Sequence, residues 1–183
     1  MPRRPKAVVF DLDGTLIDSE RLVKAAYFAQ CEAFGVEMSD AHFLSLVGLH
    51  REANDARLMQ LFGADFPLLK FYEGITAHIG DGVAELKPGA VELFGVVRDR
   101  ALPVGLATSS GPGWVERHFS AHSLHERFGV IVTRDDVVNR KPHPEPYLKA
   151  AELLGVAPGD VLAVEDSPTG LRSASAAGMM AVL

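Results

Sequence analysis

A short acidic stretch near the start of this chain, Asp11-Leu12-Asp13-Gly14-Thr15, follows directly on the apolar run Ala7–Phe10. An apolar run that breaks into acids and a glycine predicts a buried strand ending in a turn. Because side chains alternate along a strand, Asp11 and Asp13 are predicted to point to the same side at its carboxyl end, where ligands bind in open α/β sheets. Two carboxylates held together there repel, and each resists ionisation unless a cation lies between them. A lone acid pair would favour the alternative, an acidic helix N-cap followed by a turn, so the interpretation depends on the other strand ends.

Composition narrows the class of protein. With 183 residues, 48% of them hydrophobic, the chain can bury one core and form a small accessory domain. Its net charge of −6 argues against nucleic acid as the main partner. The apolar run after the basic start is too short for a signal peptide, and no later segment is long enough to span a bilayer. Cys31 is the only cysteine, which excludes an intrachain disulfide. We expect a soluble cytoplasmic protein that does not bind membranes and is a monomer or weak dimer.

Helical and strand patterns occupy different parts of the chain. From Ser19 to about Gly80, glycines separate four helical patterns and no strand pattern interrupts them, which predicts a small helical domain. Ser19 and Ser39 are predicted to cap its first two helices, the second of which should end near Gly48. Beyond this region, helices alternate with apolar strands at 103–107, 130–132, 161–164 and 180–183. This alternation predicts a parallel sheet covered by helices on both faces.

Two of the later strand ends lead to groups that suit an anion. The predicted strand 103–107 ends in Thr108-Ser109-Ser110-Gly111, whose hydroxyls and backbone N–H groups would form an oxyanion cradle or, alternatively, cap the next helix. Lys141 lies among prolines in Asn139–Pro146, a spacing that predicts a rigid extended turn before a helix. A lysine fixed there could neutralise a phosphate and nearby carboxylates, whereas most lysines are solvated at the surface.

Glu165 and Asp166 follow the predicted strand 161–164 directly. Adjacent acids at the end of a buried strand are costly unless they bind a metal or meet Lys141, and Asp166 could at the same time cap the following helix. Together, the four strand ends supply carboxylates, hydroxyls, N–H groups and one lysine. That combination suits Mg²⁺, a hard ion that takes carboxylate and phosphate oxygens and keeps several waters.

In this order, the four motifs resemble those of the haloacid dehalogenase superfamily, specifically its phosphatase and phosphomutase branch with a helical cap. The resemblance extends over nearly the whole chain. It implies an α/β fold, a Rossmann-like doubly wound parallel sheet with a small α-helical cap domain. The core domain would comprise residues 1–17 and 82–183, and the cap domain residues 18–81. Family members continue beyond the point where this sequence ends, inside the expected last strand, so we expect the sequence to be incomplete.

The site residues of the family carry over onto matching positions of this chain. The resemblance implies that Asp11 is the nucleophile and becomes phosphorylated. It implies that Asp13 protonates the leaving oxygen and then deprotonates the attacking water. Thr108 and the Ser109 N–H would hold the phosphoryl group, and Lys141 would balance its charge.

A magnesium site is implied by the same resemblance. Asp11 and Asp166 would be carboxylate ligands of Mg²⁺, Asp13 would bind it through the backbone carbonyl, and Glu165 would bind it directly or through water. Such an ion, together with a lysine, would offset the repulsion between a carboxylate nucleophile and a phosphate dianion.

The segment Leu46–Arg51 resembles the cap loop that reaches the substrate in this family. Within it, Arg51 could clamp a second anionic group, and His50 could hydrogen-bond a hydroxyl of a sugar or an acid. Gly48 belongs to the same substrate-binding loop. The alternative is that this segment is simply the exposed start of a helix.

These motifs predict a Mg²⁺-dependent phosphatase that hydrolyses a small phosphorylated metabolite, a sugar phosphate or phosphoglycolate-like ester, through an aspartyl-phosphate. A phosphomutase of the β-phosphoglucomutase type is the second hypothesis. The mutases carry a cap histidine where this chain has Val23 and a valine or similar residue where it has Thr15, which favours hydrolysis. A non-catalytic regulatory relative could lack Asp11 or Asp166, whereas every motif position is filled here.

Overall fold

The apolar runs of the second half of the chain form one parallel sheet with the run near the start. The computed structural model describes residues 4–47 and 51–183. In these residues the strands are Ala7–Phe10 (β1), Val104–Ala107 (β2), Val130–Val132 (β3), Val161–Val164 (β4) and Met180–Val182 (β5). They lie in the order β3-β2-β1-β4-β5, and every neighbouring pair is parallel. The predicted α/β fold with a doubly wound parallel sheet is confirmed.

The register of the sheet brings the ends of its strands to one edge. Phe10, the last residue of β1, pairs with Leu106 in β2 and with Val164, the last residue of β4. The ladder continues one residue further, because the Asp11 N–H donates to the Val164 carbonyl at 3.0 Å. Residues that follow these strands therefore meet at the carboxyl edge of the sheet, where open α/β sheets bind ligands.

Helices cover both faces of the sheet, as the alternation of strands and helices predicts. The α-helices of the described residues are Ser19–Ala33 (α1), Asp40–Leu44 (α2), Arg51–Phe62 (α3), Leu68–Asp81 (α4), Ala90–Asp99 (α5), Pro112–His122 (α6), Glu145–Leu154 (α7) and Pro168–Ala176 (α8). Successive β1 side chains point to opposite faces. Val9 packs in a cluster with Tyr147 of α7 and Ala174 of α8. Phe10 instead contacts Phe94 of α5 edge-on, with ring centroids 5.8 Å apart.

The described residues divide into two compact units. One contains the chain up to Ser19 together with Ala84–Leu183, and the other is Glu20–Val83. The second unit is helical, and its core is aromatic. Its fully buried Phe71 contacts four other rings at centroid distances of 5.1–6.1 Å, those of Tyr27, Phe34, Phe66 and Tyr72. Buried aromatic pairs of this kind add to the stability that apolar burial alone provides.

The helical unit differs from the sequence-based prediction at two points. Ser19 is the first residue of α1 rather than its N-cap. Ser39 caps α2 as predicted, since its hydroxyl accepts from the His42 N–H at 3.1 Å, but α2 ends at Leu44 and does not continue toward Gly48. The Ser45 hydroxyl donates to the His42 carbonyl at 2.7 Å, so a side chain competes with the helical hydrogen bonds at this end.

No helix within residues 4–47 and 51–183 combines the length and the apolarity that crossing a membrane requires.

The first turn of α8 packs so closely on Glu165 that position 170 requires glycine. A Cβ at Gly170 would lie 1.8 Å from Glu165 Oε1 and 1.9 Å from its carboxyl carbon. Hydrogen bonds from Lys141 and Tyr147 hold this carboxylate, so it cannot move aside without breaking them. We expect Gly170→Ala to lower the free energy of unfolding by about 1–3 kcal/mol, the usual cost of overpacking, measured by urea denaturation.

Gly95→Ala, inside α5, is the matched control for this substitution. Among the described residues, no atom outside the local backbone lies within 4 Å of the Cβ position at Gly95. Alanine is the better helix former, so this variant should raise the free energy of unfolding by about 0.5–1 kcal/mol. Equal effects of the two substitutions would contradict the packing constraint at Gly170.

Candidate active site

A lysine and three carboxylates meet at the carboxyl edge of the sheet. Asp11 follows β1, Glu165 and Asp166 follow β4, and Lys141 comes from the segment between β3 and α7. The Lys141 ammonium donates to Asp11 Oδ1 at 2.7 Å and to Glu165 Oε1 at 2.5 Å, and its side chain is only 5% exposed. Lys141 is therefore not a solvated surface lysine but the buried counter-ion of two strand ends.

Glu165 accepts hydrogen bonds through both carboxylate oxygens. Besides Lys141, the Tyr147 hydroxyl donates to Oε1 at 2.7 Å, and the Ser167 hydroxyl donates to Oε2 at 3.1 Å. Burial by itself would raise the pKa of Glu165, but the Lys141 charge and these hydrogen bonds outweigh it and hold the pKa below its ordinary value. Glu165 is thus a buried, ionised carboxylate that is largely committed to protein donors.

The Asp11 carboxylate is less well compensated. Burial raises its pKa from 3.8 to about 7; the Lys141 ammonium opposes this shift, and the nearby charges of Glu165 and Asp13 add to it. A single ammonium therefore faces more than one carboxylate. The resulting excess of negative charge would be neutralised by a cation.

Asp11, Glu165 and Asp166 could together hold such a cation. One carboxylate oxygen from each of the three lies within 4.8 Å of the others. Oxygen-only donors with excess negative charge fit a hard divalent cation better than a soft one. Asp11 and Asp166 are the better direct ligands, because the oxygens of Glu165 already accept hydrogen bonds from the protein.

The turn after β1 supports Asp166 through two neighbouring residues. The Thr15 hydroxyl donates to Asp166 Oδ1 at 3.3 Å. Gly14 has a φ of +78°, and a Cβ at this position would lie 2.0 Å from Asp166 Oδ2. Both the left-handed backbone and the lack of space require glycine here. The acidic motif therefore includes its glycine because the loop must pass directly over the Asp166 carboxylate.

Asp13 is held by a different set of donors. The Ser110 hydroxyl donates to Asp13 Oδ2 at 2.5 Å, and the Trp114 indole N–H donates to Oδ1 at 3.0 Å. Ser110 lies in the turn after β2, and Trp114 lies in the first turn of α6. The two acids of the motif therefore have separate environments, the usual condition for two carboxylates to take different roles.

The turn after β2 does not cap α6 through its hydroxyls. The N-cap of α6 is Gly111, with no side-chain hydrogen bond. The Oγ1 of the buried Thr108 accepts from the Ser110 N–H at 3.0 Å, which leaves the hydroxyl proton for another acceptor. Ser109 is exposed at the same turn. The capping interpretation of this turn is therefore wrong, and the oxyanion cradle stays a prediction.

The hydrogen bonds that Ser110, Trp114 and Tyr147 donate to acids of the site are among the contacts that the sequence did not predict. Trp114 and Tyr147 occupy apolar positions in the helices α6 and α7. Their polar atoms meet partners 101 and 18 residues away in the chain, on other elements. One local feature of the sequence could have indicated these contacts. It is an aromatic residue with a polar atom in the first turn of a helix that follows a strand.

The predicted substrate loop of the helical unit is described only in part. Gly48 and His50 lie outside the described residues. Arg51 is the first residue of α3, and its Nε donates to Asp55 Oδ1 at 3.0 Å. Its guanidinium also lies 3.6 Å from the ring centroid of Tyr72, whose hydroxyl donates to the same Asp55 oxygen at 2.8 Å. The guanidinium contacts of Arg51 in the described chain are thus with α3 and α4.

Comparison with known proteins gives relatives along almost the whole chain. A phosphatase of phosphorylated carbohydrates from Thermotoga maritima is 30% identical, with 95% of this chain and 82% of that protein covered. The phosphoglycolate phosphatase of Escherichia coli O157:H7 is 29% identical, over 97% of this chain and 80% of that protein. The crystal structure of CbbY from Rhodobacter sphaeroides in complex with phosphate is 28% identical, over 97% and 84% of the two chains, with a TM-score of 0.68.

A family model also matches almost the whole chain. The sequence model of the haloacid dehalogenase-like hydrolases matches residues 8–183, which include all four strand ends of the site. With this match, the parallel sheet and the relatives above, the chain belongs to the haloacid dehalogenase-like hydrolase family.

Proposed function

We propose that this protein is a Mg²⁺-dependent phosphatase that hydrolyses a small phosphorylated metabolite, a sugar phosphate or a phosphoglycolate-like ester. The observation that carries the proposal is the buried Lys141, which bridges Asp11 and Glu165 at 2.7 and 2.5 Å at the edge of the sheet where β2 leads into Thr108. Such an arrangement suits a carboxylate nucleophile that must approach a phosphate dianion. Relatives that act on phosphorylated carbohydrates and on phosphoglycolate support this class of substrate.

In the first step, a carboxylate oxygen of Asp11 forms a bond to phosphorus while the bond from phosphorus to the ester oxygen breaks. Asp13 gives its proton to the leaving oxygen, so the product is a neutral alcohol. The Lys141 ammonium offsets the repulsion between Asp11 and the phosphate. The Thr108 hydroxyl and the Ser109 N–H donate to the oxygens of the transferred group.

In the second step, a water molecule attacks the phosphorus of the aspartyl-phosphate and Asp13 removes its proton. The bond to Asp11 breaks, which regenerates the carboxylate and releases inorganic phosphate. The covalent intermediate divides one difficult displacement into two easier ones. Acid–base help from a positioned carboxylate typically contributes about 10²–10⁴-fold.

Asp11 and Asp166 would hold Mg²⁺ through their carboxylates, and the Asp13 carbonyl and Glu165, directly or through water, would complete the protein ligands. When bound, the ion would stabilise negative charge on the transferred phosphoryl group. Thr15 orients Asp166 for this role through its hydrogen bond.

Substrate choice in this proposal depends on the loop that contains Gly48, His50 and Arg51, with Arg51 as the residue that binds a second anionic group. Since its guanidinium is bound by Asp55, a substrate anion would have to replace that partner. A phosphomutase would convert a bisphosphorylated sugar into its isomer without net release of phosphate. We expect release of inorganic phosphate, because Val23 and Thr15 depart from the mutase pattern.

Asp11→Asn should abolish turnover, because the amide retains the shape of the side chain but cannot attack phosphorus. We expect a loss of more than about 10³-fold in kcat for any phosphate ester, measured as release of inorganic phosphate. Activity within tenfold of the wild type would rule out Asp11 as the nucleophile.

The same variant should remain folded. The folded-state pKa of Asp11, about 7, lies above its ordinary value of 3.8, so in the metal-free protein this group stabilises the fold less as pH rises between those values. Asn removes that pH-dependent destabilisation and leaves Lys141 paired with Glu165. At pH 8 in chelator, thermal unfolding of Asp11→Asn should therefore have a midpoint equal to or above that of the wild type.

Asp13→Asn should lose activity in a way that depends on the leaving group. An activated ester such as p-nitrophenyl phosphate needs no proton on its leaving oxygen, so formation of the phosphoenzyme should survive better than with an alkyl phosphate. A rapid-quench experiment with each ester measures this step directly. If the variant loses the same factor with both esters, Asp13 is not the general acid.

Removal of divalent metal should abolish activity, and Mg²⁺ should restore it. Ca²⁺ should inhibit, since the larger ion prefers more ligands and can take both oxygens of Asp11, which removes the nucleophile. Isothermal titration with each ion, on the wild type and on Asp166→Asn, separates binding from catalysis. Full activity in excess chelator would contradict the metal site.

A further inference from the structure

Trp114 is the only tryptophan of the chain, and its polar atom faces the proposed acid and base. The indole N–H donates to Asp13 Oδ1 at 3.0 Å, and the Ser110 hydroxyl donates to Oδ2 at 2.5 Å. One donor binds each oxygen, and the two donors come from different turns of the backbone. Two such contacts fix the rotation of the carboxylate as well as its position, which a single hydrogen bond does not.

The indole is itself held in place by the next turn of α6. The ring of the fully buried His118 lies 4.2 Å, centroid to centroid, from that of Trp114. His118 Nε2 accepts from the Ala84 N–H at 3.0 Å, so the ring proton is assigned to Nδ1, which lies 2.9 Å from the Trp114 carbonyl. Both ring nitrogens are therefore used, and burial lowers the pKa of His118, which keeps the ring neutral.

We propose that Trp114 is a positioning residue for the proton transfers of Asp13, with Ser110 as the second donor and His118 as the brace behind the indole. The proposal rests on the proposed function, in which Asp13 is the acid and base. An acid that protonates a leaving oxygen and then deprotonates water must stay oriented through two steps with different partners. A carboxylate free to rotate would lose part of this advantage, because misorientation of a reacting group is costly in rate.

The alternative is that Asp13 only provides a hydrogen-bond acceptor for the indole N–H, without any effect of Trp114 on catalysis. A structural indole would affect folding, or all substrates alike, whereas a positioning residue acts only where Asp13 must transfer a proton. Each carboxylate oxygen has a further lone pair beyond the one that accepts from Trp114 or Ser110. Asp13 can therefore exchange a proton with substrate or water while both donors remain in contact.

Trp114→Phe tests the proposal, because phenylalanine retains an aromatic ring against His118 but lacks the N–H. We expect the rate of phosphoenzyme formation from an alkyl phosphate, measured by rapid quench, to fall by about tenfold, the scale of one hydrogen bond to a charged group. With p-nitrophenyl phosphate the loss in this step should be less than about twofold, because its leaving group needs no proton. In the Asp13→Asn background, Trp114→Phe should cause no further loss with either ester.

Ser120→Ala is the matched control on the same helix. It removes an exposed hydroxyl that donates to Glu116 at 2.7 Å, and it should leave both activities unchanged. Equal losses with both esters, an additive loss in the Asp13→Asn background, or no loss at all in Trp114→Phe would each overturn the positioning role. A wild type that hydrolyses neither ester would instead overturn the proposed function itself.

Fluorescence gives a readout that does not need a Trp114 variant to fold. Because the chain has one tryptophan, the emission spectrum reports on this indole alone. Asp13→Ala removes the acceptor and its charge, so the emission maximum should shift in that variant and stay constant in Ser120→Ala. An unchanged maximum in Asp13→Ala would overturn the contact on which the proposal is built. If Trp114→Phe does not fold, Ser110→Ala should show the same dependence on leaving group, and its failure to do so would also overturn the proposal.

Discussion

The Lys141 ammonium lies between the Asp11 and Glu165 carboxylates, and the chemistry of the strand ends depends on this one contact. Burial raises the pKa of Asp11 to about 7 even with the ammonium in place. Without Lys141, two desolvated carboxylates would face each other at the carboxyl edge of the sheet, and one of them would have to bind a proton. With it, one negative charge of the pair stays uncompensated, and a divalent cation would neutralise that charge. In the proposed function, the lysine would thereby connect the stability of the fold to metal binding.

The two acids of the first motif are separated by their partners rather than by their chemistry. Asp11 shares a buried ammonium with the neighbouring strand end, whereas Asp13 is oriented by a hydroxyl and an indole from the turn and helix after β2. A nucleophile needs a lone pair directed at phosphorus, and an acid–base residue needs to exchange a proton without changing its position. Different donor sets allow identical carboxylates to meet these different demands.

Close packing around the site leaves little freedom in the residues that line it. Gly14 passes over the Asp166 carboxylate, and Gly170 in the first turn of α8 packs against Glu165, in both cases with no room for a Cβ. Both glycines let the backbone approach a carboxylate that must stay fixed. Such positions constrain the sequence around the site, although they carry no functional group.

The sequence by itself determined the parallel sheet, the helical block between its first two strands and the strand ends that carry Asp11, Thr108 and Glu165, because apolar runs and their breaks are local properties. It also identified Lys141 as a candidate site residue, because the lysine before a proline matches a motif of the family at one definite position. It did not determine that Tyr147 and Trp114 would turn polar atoms toward the site, nor that the Arg51 guanidinium would lie over the Tyr72 ring. Those contacts join residues on different elements. An aromatic or charged residue at a given position of a helical pattern can make either a structural or a functional contact, and the pattern does not distinguish the two. Only the tertiary structure decided them, because the register of the sheet and the packing of its helices select which polar atoms meet.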